Sequence, residues 1–231
     1  MKKLIKDLSF PEIVFLVLGI SVLLTISLIT HSTLIVLCAS ILGFLVNFLS
    51  AKAKIISQFL GIIAVILFLI ISLPQQYYGE VIIIIFITLP IKIKTIFSWL
   101  NNKDEQLQVV KANNIKENEW QLIWAVTILV SIGFYFLLKY FNTKQLLVST
   151  FSAVTNIIST YLLMRRNKHS FSFAVINDAF RLILWLIPTI QGDWSLLTLV
   201  ITRLIYLSVD LYGYFNWTRM EIKQSSFFKF Y

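Results

Sequence analysis

The stretch QFLGIIAVILFLIISLPQQYYGEVIIIIFITLPIKIKTIFSW, residues 58–99, decides the fold. It holds two apolar runs separated by Pro74, Gln75 and Gln76. Each run is close to the ~20 residues that cross a ~30 Å hydrocarbon layer at about 1.5 Å per residue. Val81–Ile87 does not alternate polar with apolar positions, so the dyad pattern of a membrane β-barrel is missing. A backbone in lipid must satisfy its own hydrogen bonds, and these runs are therefore read as helices.

The same criterion carried along the chain predicts helices over 11–30, 33–50, 56–74, 77–100, 120–141, 146–165, 169–190 and 194–217. Composition agrees. Of 231 residues 58% are hydrophobic and only 13% charged, and the mean hydropathy is +0.83, outside the range of soluble domains. The expected fold is an all-α membrane protein with eight transmembrane helices.

A net charge of +9 would suit a nucleic-acid partner, but the cations sit in short loops rather than on one face. They read as topology signals, with the lipid bilayer as the partner and no nucleic acid. With the N-terminus cytoplasmic, Lys2, Lys3, Lys6, Lys52, Lys54, Lys103, Lys111, Lys116, Arg165, Arg166, Lys168, Arg219, Lys223 and Lys229 share one side, against only Lys139 and Lys144 on the other. Both termini are thus expected in the cytoplasm, with the chain multi-pass in the cell (cytoplasmic) membrane. The basic start, Met1 to Phe10, precedes an apolar run that is too long for a signal peptide and lacks an Ala-x-Ala site, so it is read as a retained helix.

The lone Cys38 excludes an internal disulfide and reads as an inert packing residue. His31 and His169 fall at opposite faces and cannot pair on a metal. No HExxH, GxSxG or Walker loop occurs, so the chain is read as no enzyme, with no cofactor and no metal.

The polar stretch Asn101–Glu119 reads as a cytoplasmic linker that divides the chain. At an offset of 114 the halves match weakly: Lys52 with Arg166, Lys54 with Lys168, Phe59 with Phe173, Pro74 with Pro188. This gives an N-terminal basic segment and extra helix (1–32), a first three-helix repeat (33–100), a linker and connecting helix (101–145), a second three-helix repeat (146–217) and a cytoplasmic tail (218–231). The layout, 3+1+3 with parallel repeats, is one that holds a substrate between the repeats near mid-membrane.

Ionisable groups inside a span cost a few kcal/mol and mark a partner, a cavity or a pathway. Asn177, Asp178 and Arg181 fall in the seventh helix, Arg203 and Asp210 in the eighth. Asp178 and Arg181, spaced i,i+3, can meet on one face, either as a structural pair or around a substrate. Asp178 or Asp210 could instead face a cationic ring. Trp185 and Tyr214 lie deep enough to stack on a flat ligand. Trp99, Trp120, Trp194 and Trp217 sit at helix ends as an aromatic belt, and Lys92 and Lys94 are expected to snorkel toward headgroups. Pro74, Pro90 and Pro188 end or kink helices.

Residues 33–217 resemble the PnuC family of vitamin transporters. In the first half the likeness runs over Ser57–Trp99, where the family has a Gly-Leu-Ile-Asn-Val helix, a Tyr-Gly-Glu turn (here Tyr78, Gly79, Glu80) and a later Pro and Trp. In the second it runs over LLMRRNKH (162–169), the Asn177 helix and the closing Tyr212-Gly213-Tyr214-Phe215-Asn216-Trp217. The chain departs from the family pattern at Ala64, where the family has Asn, at Ile84 and Lys92 in the next helix, and at Ser170 and Phe173, where the family has a Trp-x-x-Trp pair. The resemblance implies a SWEET-like transport core, commonly a homotrimer, that carries nicotinamide riboside by facilitated diffusion with trapping by a cytoplasmic kinase. Relatives that carry thiamine or riboflavin keep those ligands open, and a non-transporting scaffold subunit is the alternative. It also implies that Asn177, at a family-matched position, contacts substrate, with an amide able to donate and accept. The expected site is therefore Asn177, Asp178, Arg181, Trp185, Asp210 and Tyr214.

Overall fold

A computed structural model describes residues 8–104 and 109–227, leaving aside the side chains of residues 79, 80, 226 and 227. The cations Lys2, Lys3, Lys6 and Lys229 counted above lie outside the described residues.

Eight apolar helices are found there: α1 (Phe10–Ile29), α2 (Leu34–Ala51), α3 (Ile56–Ser72), α4, α5 (Glu117–Tyr140), α6 (Leu146–Met164), α7 (His169–Ile190) and α8 (Leu197–Phe227). Seven are long and apolar enough to cross a membrane, and α3, at 17 residues, is shorter. The rod α4 comes in three pieces, Tyr78–Ile83, a π-helical turn Ile84–Thr88, and Leu89–Asn101. Pro90 accounts for the widened turn. In a regular helix its ring would press on the carbonyl four residues back, and a π-turn gives that carbonyl room.

Contacts between helices form a closed ring: α2 on α3, α3 on α4, α4 on α6, α6 on α7, α7 on α8, and α8 back on α2. Outside the ring, α1 leans on α2 and α8, where Glu12 accepts bonds from Lys52 (2.8 Å) and the Tyr212 hydroxyl. Helix α5 packs on α6 and presents Leu122, Leu129, Ile132 and Phe136 outward, as lipid contact requires.

Of the apolar clusters, two lie at either side of the bundle's middle. One contains Phe48, Trp99, Phe171 and Trp217; the other contains Ile71, Tyr77, Leu184 and Trp185. In the first, the halves exchange matching hydrogen bonds. Ser98 and the Trp99 indole donate to the carbonyls of Met164 and Leu163 (2.8 and 3.0 Å), while Asn216 and the Trp217 indole donate to those of Ala51 and Ser50 (2.8 and 3.0 Å). The two indoles lie 5.7 Å apart. Trp99 and Trp217 are fully buried, so they are internal anchors rather than belt residues, whereas Trp194 is exposed. The turns match as well. The first left-handed residue after α2 is Ala53 and after α6 is Arg166, an offset of 113 rather than 114.

Two further expectations are corrected, the end of the last helix and the packing of Cys38. The stretch between α4 and α5, read as a linker, has structure of its own. It carries a short antiparallel ribbon, β1 (Lys103–Asp104) with β2 (Val109–Val110), and Val110 is fully buried. The Val110 and Asn113 amides donate to the carbonyls of Ala53 (3.2 Å) and Arg166 (2.9 Å), so this connector touches the matching turn of each half. The tail expected from residue 218 is helical through Phe227, and Gln224 there bonds Ala112 and Val110 of the connector. Cys38 is exposed on α2, not packed.

Candidate functional site

Between the two clusters lies a cavity of about 180 Å³ lined by all six ring helices. Its α7–α8 wall is ionic. Arg203, 2% exposed, donates from Nη1 to Asp178 Oδ1 at 3.1 Å. Its guanidinium lies between the rings of Phe68 and Tyr206, 4.9 Å from each centroid. Asp210 completes the wall beside Asp178 and the Asn47 amide, and its buried Oδ1 accepts no hydrogen bond among the described residues. Arg203, Tyr206 and Asp210 are spaced i, i+3, i+7, one face of α8. Tyr206 fits because Gly43 leaves its hydroxyl a place against α2; a methyl there would overlap it.

The opposite wall is built by α3 and α4. Thr88, the last residue of the π-turn, and Lys92 one turn on face inward, and Asn156 of α6 donates to Thr88 at 3.1 Å. Lys92 does not snorkel. Its ammonium lies over α3, 2.9 Å from where a Cβ on Gly61 would stand, so a larger residue there would push the ammonium aside.

Of the six expected residues, Asn177, Asp178, Arg181, Trp185 and Asp210 line this cavity. Tyr214 does not. Its ring lies against His169 (5.8 Å) and Phe215 (5.9 Å). Asn177 donates from Nδ2 to the Ser152 carbonyl (2.6 Å) and toward the hydroxyls of Ser152 (3.3 Å) and Thr155 (3.2 Å), which leaves its amide oxygen as the atom without a described partner. Trp185 meets Tyr77 edge-on at 5.2 Å, and Tyr77 donates to the Leu184 carbonyl at 2.6 Å. Asp178 pairs with Arg203 on the next helix.

Sequence reasoning left Arg203, Tyr206, Lys92, Phe68 and Asn47 out of the site. A signal existed for the first, a charge seven residues before Asp210 on the same helical face, but none for the ring stacking that holds it. Chemically the cavity offers cations, carboxylates, amides and ring faces. Among the described residues no group of three or more His, Cys, Asp or Glu could hold a metal.

The family model described as "Nicotinamide mononucleotide transporter" matches residues 33–219. The chain is similar to the nicotinamide riboside transporter PnuC of Neisseria mucosa, at 21% identity over 81% of this chain and 73% of the relative. It is also similar to the nicotinamide riboside transporter PnuC of Haemophilus influenzae, at 23% identity over 90% of each. A solved structure, "Crystal structure of the Vitamin B3 transporter PnuC", superimposes with a TM-score of 0.84 at 19% identity, covering 94% of both chains, which shows the shared fold. With a polar cavity inside a ring of apolar helices and a family match over most of its length, this chain is a multi-pass membrane protein that belongs to the nicotinamide mononucleotide transporter family, that of the PnuC transporters.

Proposed function

We propose that the protein takes up nicotinamide riboside, or a closely related vitamin, across the cell membrane by facilitated diffusion with alternating access. The observation that carries this reading is the cavity itself: charged and amide side chains from five of the six ring helices converge at mid-bundle, between two apolar clusters. Desolvated charge at that depth is retained where it lines a pathway or a binding site. In this reading α2–α4 and α6–α8 are parallel repeats joined by α5, with α1 added, and they rock about the cavity in a SWEET-like manner. The exchanged Ser98–Trp99 and Asn216–Trp217 bonds support that symmetry.

Asn177, Asp178, Arg181, Trp185 and Asp210 are proposed to contact the solute, and Arg203 to hold Asp178 in place. Both termini are proposed to be cytoplasmic, and the protein to assemble as a homotrimer, with uptake made one-way by a kinase acting on the product. Tyr214 contributes by packing.

Uptake of labelled nicotinamide riboside, thiamine and riboflavin into proteoliposomes tests the reading. Saturable flux of nicotinamide riboside that ignores imposed ion gradients is expected. Flux of only thiamine or riboflavin would reassign the solute, and no flux above empty vesicles for any of them would leave a scaffold subunit.

A further inference from the structure

The cavity lining repeats between the halves. Residues of α2 and α3 recur in α6 and α7 at the offset of 113 that relates the Ala53 and Arg166 turns, as with Asn47 and Thr160 or Ala64 and Asn177. Helices α4 and α8 keep an offset of 118, which carries Trp99 onto Trp217 with their matching indole bonds. The same offset carries Lys92 onto Asp210, and both line the cavity. In the parallel-repeat reading above, matched positions stand at one depth on opposite sides of an axis along the membrane normal. Lys92 and Asp210 then face each other across the solute's place with opposite charge. Neither neutralises the other in the structure. Lys92 has no ion pair and no hydrogen bond among the described residues, and its ammonium lies over α3. The buried Asp210 Oδ1 likewise accepts no hydrogen bond among them, and the Arg203 bond goes to Asp178. Lys92 stands nine residues before Asn101, the end of α4, or about 14 Å down the helix, too deep in a ~30 Å layer to reach headgroups. Its four-carbon stem is flexible enough to move the charge within the cavity.

We infer that Lys92 is the stand-in cation of the solute site: it swings to Asp210 when the site is empty and withdraws over Gly61 when the solute's cationic ring takes that place. The inference rests on the transport reading above and supplies the return half of its cycle. A facilitative carrier must turn back without cargo after each delivery, and a carboxylate carried through that step without a counter-ion is costly. With Lys92 on Asp210 the empty site closes as a neutral pair. The bound ring makes the same pairing itself, so the loaded carrier has no need of Lys92 in this role.

Two fluxes of labelled nicotinamide riboside through the full chain in proteoliposomes separate the steps. Net uptake into empty vesicles requires the empty carrier to return, whereas exchange against unlabelled nicotinamide riboside does not. Lys92→Gln is expected to lower the ratio of net uptake to exchange by roughly tenfold, the effect of about 1.4 kcal/mol on the return step. Lys92→Arg, which keeps the charge, should hold the ratio near the wild-type value. Binding in nanodiscs gives a second reading. A stand-in that occupies the carboxylate in most empty carriers weakens apparent affinity by the fraction it leaves free, so Lys92→Gln should bind nicotinamide riboside roughly threefold to tenfold more tightly. The uncharged dihydro form of the riboside should gain less. Tighter binding with an unchanged flux ratio would make Lys92 only a repelling charge and overturn the inference, as would equal losses in both fluxes. Either result leaves the transport reading standing. If the wild type neither takes up nor exchanges nicotinamide riboside, both fall. Lys92→Met, apolar and of similar length, gives the same readings should Lys92→Gln fail to fold.

Discussion

Breaking the Asp178–Arg203 pair tests the ionic wall most directly. Both residues are almost wholly buried, at 5% and 2% exposure, and 3.1 Å apart. Removing one member of a buried pair costs ~3–5 kcal/mol, because the other is stranded without water. Asp178→Asn should fall at the low end, about 3 kcal/mol. The new amide still accepts one hydrogen bond, Asp210 stays nearby, and the two ring faces retain the guanidinium at ~0.5–2 kcal/mol each. Arg203→Met should fall at the high end, about 5 kcal/mol, since it leaves Asp178 and Asp210 facing each other without the Arg203 guanidinium. The double variant removes both stranded charges and should be more stable than the sum of the singles predicts, by at least about 2 kcal/mol. Unfolding of the purified protein in mixed micelles with rising dodecyl sulfate, followed by tryptophan fluorescence, gives all three values. Additivity within about 0.5 kcal/mol would refute the argument that these groups depend on one another.

Asn177→Ala should abolish solute binding and also loosen α6 from α7 by about 0.6–1.7 kcal/mol, since its amide holds the Ser152 carbonyl; binding at wild-type strength would remove it from the site. Trp99→Phe and Trp217→Phe each lose one indole bond to a helix-end carbonyl, and both should lower stability by a similar amount, about 1 kcal/mol. A silent result at one position and a large loss at the other would contradict the matching roles of the two halves.

What the sequence discloses and what it withholds divide along a physical line. Apolar length marks lipid crossing locally, so each of the eight helices is legible, most within two residues of its ends. The ends were misjudged where that signal stops. Residues 218–227 are polar enough to read as tail, yet they continue α8 because Gln224 has the connector to hold. The π-turn has no mark besides Pro90. Partner choice is tertiary: nothing in the i,i+3 spacing of Asp178 and Arg181 reveals that Arg203 approaches from another helix. Tyr214 looked deep by position, but helix rotation turns its ring to His169 rather than the cavity. Trp99 and Trp217 stand where belt residues stand, and only the packing of opposite halves tells an anchor from a belt.

The connector between α4 and α5 has a mechanical consequence. The ribbon and the residues after it are fastened to the Ala53 turn, the Arg166 turn and Gln224 together, so the connector bridges the two halves at one end of the bundle like a clasp. Any swing that parts the halves at that end must undo several of these bonds in concert, at about 1 kcal/mol apiece. Motion that pivots on the clasp and spreads the opposite end leaves them intact.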